Sequence, residues 1–211
     1  MNATMAALNF TSPPDDREEL ARAEVYGLLA ALFYAAPSAE LYAQLQVAPT
    51  EAPAPGGFLE SSWMNVVAAS RRIELGAVAD EFSALFEGIG KPELFLYGSY
   101  YTAGHLNERP LVELRDALGA LGLERPAQVE ETEDHIASLC EVMRYLIAGE
   151  DLAVSNLSKQ QVFFNDHMRH WVDSMADAIA AHPRADFYRA VALFAHDFFA
   201  VEGQGFDLLE V

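Results

Sequence analysis

Between Glu133 and Gly149, apolar side chains fall at Ile136, Leu139, Cys140, Met143, Leu146 and Ile147, at intervals of 3, 1, 3, 3 and 1. Only an α-helix with one buried face gathers such positions, because residues three and four apart stack on its surface. Carboxylates precede the stripe, where they complement the positive end of the helix, and Gly149 stops it. A helix this apolar on one side must find a partner surface, so the chain is committed to helix-on-helix packing.

The same period recurs along the sequence. Asp15 to Ala36 carries Val25, Leu28, Leu29, Leu32, Phe33 and Ala36 and is ended by Pro37. A short helix from Ser38 to Val47 runs into a Pro/Gly loop from Ala48 to Gly57. Helical pattern from Leu59 to Phe86, broken near Gly76, stops at the turn Gly88 to Pro92. Pro110 opens Leu111 to Leu121, which Gly122 closes. Ser155 to His182 carries Phe164, Met168, Trp171, Met175 and Ile179, and Ala185 to Val201 carries Phe187, Val191, Phe194, Phe198 and Val201. No segment alternates as a strand does, so the expected class is all-α. Seven or eight helices, in an N-terminal and a C-terminal group, share one core. The expected organisation is a flexible segment over 1–14, one helical domain over 15–202, and a tail over 203–211 containing Gly203, Gln204 and Gly205. A chain of 211 residues that is 52% apolar supplies enough material for that single core.

Lys and Arg number 13 against 32 Asp and Glu, a net charge of −19. Such a surface repels polyanions, which excludes nucleic acid and disfavours anionic membranes. No run approaches the roughly 20 apolar residues of a spanning helix, so no membrane insertion is expected. The single cysteine, Cys140, sits on the buried stripe, which fits a reducing compartment. No Lys or Arg precedes Arg17, so a secretory leader pattern is missing and the expected location is cytoplasmic. Of the six histidines none has Glu three residues before it, which removes the usual di-iron pattern. His167 and His170 stand at i, i+3 beside an apolar stripe, where packing explains them. No phosphate-cradling Gly-x-x-x-x-Gly-Lys motif occurs. No catalytic residue, metal ligand or cofactor is assigned.

Two segments remain. Glu93 to Arg109 carries Phe95, Leu96, Tyr97, Tyr100 and Tyr101 around Gly98 and Ser99, and reads as a buried connector with a helical turn. Gly98 is expected to supply a backbone geometry closed to other residues. Tyr97 and Tyr101 read either as core rings or as an aromatic docking surface. The acidic run Glu130-Glu131-Thr132-Glu133-Asp134 leads into His135. There Thr132 is expected to cap the helix, while a charged His135 would oppose the helix dipole unless Glu131 and Asp134 hold it.

Three segments in order resemble the TorD/DmsD/NarJ family of redox-enzyme maturation chaperones, most closely its TorD-like branch. They are Tyr26-Gly27-Leu28-Leu29-Ala30-Ala31-Leu32-Phe33-Tyr34-Ala35-Ala36-Pro37, similar to the family's opening helix; Leu96-Tyr97-Gly98-Ser99-Tyr100-Tyr101, similar to its aromatic-Gly-Ser-x-Tyr motif; and Glu131-Thr132-Glu133-Asp134-His135, which matches Glu-Pro-x-Asp-His with Thr132 in place of the proline. The resemblance implies an all-helical, non-enzymatic chaperone. It would bind the twin-arginine signal peptide of a molybdenum-containing oxidoreductase, or the apoprotein, in the cytoplasm and delay export until the cofactor is inserted. It also implies a peptide-binding surface at Tyr97, Gly98, Ser99, Tyr101, Glu131, Asp134 and His135. Domain-swapped dimers and weak guanine-nucleotide binding occur in some members, so monomer and swapped dimer both stay open. From the residues alone, a small helical metalloenzyme and a generic helical interaction scaffold are the alternatives. A peptide with two guanidinium groups before an apolar helix-prone stretch calls for a carboxylate rim beside an apolar groove.

Overall fold

The apolar stripe lies on α7 (Ile136–Ala148) and is buried along α1 (Pro14–Tyr34), the most extensive helix pairing in the molecule. Ile136, Cys140, Met143 and Leu146 are fully enclosed, as are Tyr26, Leu29 and Phe33 on the facing helix. Burial pushes the Cys140 thiol well above its ordinary pKa, so it packs as a small apolar group. The computed structural model describes residues 14–50, 57, 59–88, 91–106, 109–125 and 131–210, with 14–16 and 210 as backbone only. Most of the segment expected to be flexible, residues 1–13, lies outside these, as do Glu130 and most of the Pro/Gly loop.

Among the described residues every regular element is helical, as the periodicity predicts, apart from one isolated β-bridge. The other helices are α2 (Ala39–Val47), α3 (Glu60–Arg72), α4 (Leu75–Phe82), α5 (Gly98–Ala103), α6 (Arg109–Ala120), α8 (Leu157–His167), α9 (Val172–Ala181) and α10 (Phe187–Asp207). Among the described residues they outnumber the seven or eight expected because the helical turn of the connector is a helix of its own, α5, and two periodic stretches, Leu59 to Phe86 and Ser155 to His182, are each split. The break in the first falls at Ile73 and Glu74, ahead of Gly76, which lies in the first turn of α4. The second breaks after His167, whose carbonyl accepts the Trp171 indole N–H at 2.7 Å, so a side chain takes the place of the next helical turn. Gly122 adopts φ 71° at the end of α6, and the Leu123 N–H closes back on the Leu118 carbonyl at 2.9 Å, the glycine stop expected there.

α10 runs against α9 and α3, and its Phe187, Tyr188, Phe198 and Phe206 join the core begun by α1 and α7. The two helical groups thus share one apolar cluster. Two carboxylates tie α10 down. Glu81 on α4 accepts the N–H groups of Asp186, Phe187 and Tyr188 at 2.8, 3.1 and 2.8 Å, satisfying the open donors at the helix start. Glu202, only 5% exposed, accepts two hydrogen bonds from Arg22 on α1, at 2.7 and 2.8 Å, and one from the Tyr26 hydroxyl at 3.0 Å.

One boundary differs from the sequence expectation. Residues 203–207 are helical rather than tail, although Gly203 and Gly205 weaken a helix interior. Tertiary contacts outweigh that cost: Phe206 is buried against Phe164, its carbonyl accepts the Gln161 amide at 2.9 Å, and Asp207 holds Arg169 with two hydrogen bonds of 2.6 and 2.7 Å.

Replacing Glu202 by Gln is expected to cost about 2–3 kcal/mol of unfolding free energy in urea titration. It leaves Arg22, whose head stays partly hydrated, without its buried counter-charge. A change under about 0.5 kcal/mol would show that the pair is neutral.

Candidate functional site

The aromatic connector and the acidic run are joined directly. The Gly98 N–H donates to the Asp134 carbonyl at 2.9 Å and the Ile136 N–H to the Leu96 carbonyl at 2.8 Å, forming an antiparallel bridge of Tyr97 with His135. The bridge fixes the starts of α5 and α7 side by side. Across it the Tyr97 and His135 rings meet edge to face with centroids 5.0 Å apart.

His135, rather than Thr132, caps α7: its Nδ1 accepts the Ala137 N–H at 3.2 Å. A ring nitrogen that accepts carries no proton, so the imidazole is neutral and does not oppose the helix dipole. Burial lowers its pKa to about 4 against the opposing pull of Asp134. Thr132 serves the carboxylate instead, its hydroxyl donating to Asp134 Oδ1 at 2.6 Å, while Asp134 Oδ2 accepts the Ser99 N–H at 2.9 Å. Asp134 therefore caps α5 from another segment.

Tyr97 is half-buried and its hydroxyl donates to Glu131, whose pKa burial raises. Tyr101 is also half-buried: its hydroxyl donates to the Phe95 carbonyl at 2.9 Å, its ring stacks on Trp171 with centroids 5.8 Å apart, and burial with the nearby Tyr100 pushes its pKa to about 12. Gly98 keeps an ordinary negative φ, against the expectation of a special backbone geometry. It is required by proximity, since a Cβ there would lie 3.0 Å from the Trp171 indole. Of the residues singled out from the sequence, Gly98, Ser99, Asp134 and His135 are buried, and Tyr97, Tyr101 and Glu131 are half-buried.

Two concavities flank this junction. An apolar groove of about 520 Å³ runs between α1, α6 and α7, floored by residues such as Ala30, Leu118, Ala137 and Val142 and rimmed by Glu124, Glu133 and Glu141. At its end Glu133 receives Arg115 at 2.9 Å and Arg125 at 3.3 Å. Burial pushes its carboxyl up, but the Arg115 hydrogen bond, with a backbone hydrogen bond and both positive charges, brings it below the ordinary range. A cavity of about 50 Å³ opens on the other side, lined by Gly98, Ser99, Asp134, Glu113, Asp166 and Trp171 among others. His167 and His170 line it too, yet among the described residues no group of three or more His, Cys, Asp or Glu is placed to hold a metal ion. Nothing in the sequence pattern marks the groove, because Ala30, Ala31 and Ala137 signal only helix propensity; Glu133, inside the acidic run, is its one legible rim residue.

Below the unfolded histidine pKa near 6.5, the unfolded chain binds a proton at His135 that the folded chain refuses until about pH 4. Stability should therefore fall as pH drops through that window, by on the order of 3 kcal/mol from this residue. His135→Asn, which keeps a capping oxygen, should remove that part of the slope in denaturation curves recorded at pH 7, 5.5 and 4.5. An unchanged slope would show that His135 is protonated in the fold. Gly98→Ala should destabilise by about 1–3 kcal/mol through the clash with Trp171; a neutral result would mean that the indole moves freely.

The chain is similar in sequence to known proteins. The family described as Nitrate reductase delta subunit matches residues 50–177, which include the connector, the acidic run and the turn at Trp171. Chaperone protein TorD of Vibrio cholerae serotype O1, El Tor Inaba, is 27% identical over 190 residues, covering 82% of this chain and 86% of that protein. Chaperone protein TorD of Aliivibrio fischeri is 27% identical over 136 residues, covering 61% and 63%. The chain belongs to the nitrate reductase delta subunit family, within its TorD/NarJ group of chaperones.

Proposed function

We propose that this chaperone acts in the cytoplasm on a molybdenum-containing oxidoreductase, binding the precursor's twin-arginine signal peptide or its apoprotein and delaying export until the cofactor is inserted. The cofactor belongs to the client, and the chaperone contributes binding alone. The observation that carries the reading is the apolar groove between α1, α6 and α7 with Glu124 and Glu141 on its rim, and with Glu133, already held by Arg115 and Arg125, at its end. An amphipathic, helix-prone peptide with basic residues at one end is complementary to such a surface in both shape and charge.

The family-matched residues take distinct parts in this reading. Tyr97 and Glu131, joined by their hydrogen bond, form the half-buried edge where a guanidinium meets a carboxylate of the acidic run. Asp134 and His135 act from beneath, holding the starts of α5 and α7 so that this edge keeps its shape. Ser99 and Gly98 line the neighbouring cavity, and Tyr101 braces it through Trp171. The charge of −19 steers a basic peptide toward the molecule, and burial in the groove supplies most of the affinity. Among the described residues no helix is long and apolar enough to cross a membrane.

Ala31 is exposed on the groove wall, so Ala31→Trp fills the space without disturbing the core. It should weaken a fluorescent Arg-Arg signal peptide by about tenfold or more in anisotropy titration, with the unfolding midpoint unchanged. Peptides carrying Gln-Gln in place of Arg-Arg should bind more weakly, and raising salt should narrow the difference. Equal affinity for all peptides, or full affinity after Ala31→Trp, would remove the groove from the function.

A further inference from the structure

A second apolar groove, of about 510 Å³, runs between α1 and the last turns of α10. Val25, Phe198, Val201 and Phe206 line it, as do Leu157 and Leu209, which stand 40% and 48% exposed. The charges inside it are already paired. Glu202 is held by two Arg22 nitrogens and the Tyr26 hydroxyl, while Arg22 also meets Glu19 at 3.7 Å and lies over the Phe206 ring at 5.6 Å. A charged side chain entering here would lose its hydration without gaining an opposite partner. Glu18, exposed at one end, repels an acidic occupant in particular. The groove therefore calls for an apolar, uncharged segment.

Such a segment is attached beside it. Residues 1–13 contain no Asp, Glu, Lys, Arg or His, in a chain whose net charge is −19, and they include Met5, Leu8 and Phe10. They lie outside the described residues and join α1 at Pro14, one turn before Glu18 at the groove's end. Pro13 and Pro14 disfavour continuation of α1 upstream, so the chain can turn back there. From Pro14 to Val25, the groove's far end on α1, helix rise covers about 16 Å. The stretch from Met5 to Pro14 spans up to about 30 Å when extended, enough to lie along that length. A second copy of the chain is a poorer occupant, since two molecules of this charge repel. A tethered segment instead meets the groove at an effective concentration of about millimolar. We propose that residues 5–10 of this chain fold back into the groove between α1 and α10, with Met5, Leu8 and Phe10 as anchors. The strap closes this face and leaves the groove between α1, α6 and α7 open; it stands or falls apart from the signal-peptide reading.

Protease protection and cross-linking of the full chain test it. Thermolysin cleaves before Leu8 and Phe10, at a rate that follows the population in which the segment is out of the groove. Ala21 and Ala31 are both exposed on α1, one on each groove, so Ala21→Trp fills the second groove and Ala31→Trp is the control. Release of fragments 1–7 and 1–9, read by mass spectrometry, should be about tenfold faster in Ala21→Trp and within about twofold of the unaltered chain in Ala31→Trp. Cross-linking reads the position separately. Gly205, in the groove, and Gly119, on α6, are exposed helix sites where an added Cβ meets nothing within 4 Å. With Asn9→Cys, a disulfide to Gly205→Cys should form about tenfold faster than one to Gly119→Cys. Leu8→Asp/Phe10→Asp should remove that advantage, whereas Asn2→Asp/Thr4→Asp, the same charge at polar positions, should keep it. If Ala21→Trp leaves cleavage unchanged, if the two cysteine pairs form at equal rates, or if both Asp pairs act alike, the strap is overturned. If Gly205→Cys links mainly between two chains, the occupant is a second copy and the strap is overturned as well.

Discussion

Two backbone hydrogen bonds, from Gly98 to Asp134 and from Ile136 to Leu96, hold segments 36 to 40 residues apart in one short bridge. A bridge of this size would not survive alone in water, because ordering the chain costs more than the bonds return. It persists because α7 is clamped along α1 and because the α5 start is seated on Trp171. Both concavities lie against it: Glu133, just before the bridge, rims the groove, and Asp134, within it, lines the cavity. Packing far from the surface thereby sets the relative position of groups at the surface.

The excess of acid is partly a structural material. Glu81 caps α10, Asp134 caps α5, and Glu202 joins α1 to α10 through Arg22. Arg115 and Arg125 converge on Glu133 at the groove's end. Several carboxylates that contribute to the net charge are thus already committed within the fold. On the proposed reading, recognition of a cation falls to those left at the rims.

The helices were legible because burial on one face leaves a period in the sequence, as in the stripe from Ile136 to Ile147. Their ends were less so. Trp171 and Gly203 each reverse a local expectation for a non-local reason, an indole bond to His167 in one case and the packing of Phe206 and Asp207 in the other. The site was legible as two neighbouring motifs, and the bridge shows why they occur together. The roles of individual residues were not. His135 looked like a misplaced cation and is a neutral cap, Thr132 looked like the cap and supports Asp134, and Gly98 answers to an indole over 70 positions away. Tyr100, exposed and stacked on Phe95 at 4.3 Å, carries the motif's outward ring. The groove is built from alanines and single residues of three helices, a combination that has no linear signature.

Trp171 also gives the molecule an optical reporter of its own. Of two tryptophans, Trp63 hydrogen-bonds to Pro49 and faces Phe194, remote in sequence from the junction, whereas Trp171 forms a wall of the cavity and stacks on Tyr101. Indole emission responds to the polarity and charge around the ring, so the intrinsic fluorescence of Trp171 carries a signal from the cavity without any label. In a chain whose Trp63 is replaced by Phe, that emission becomes a direct spectroscopic view of what enters beside Gly98.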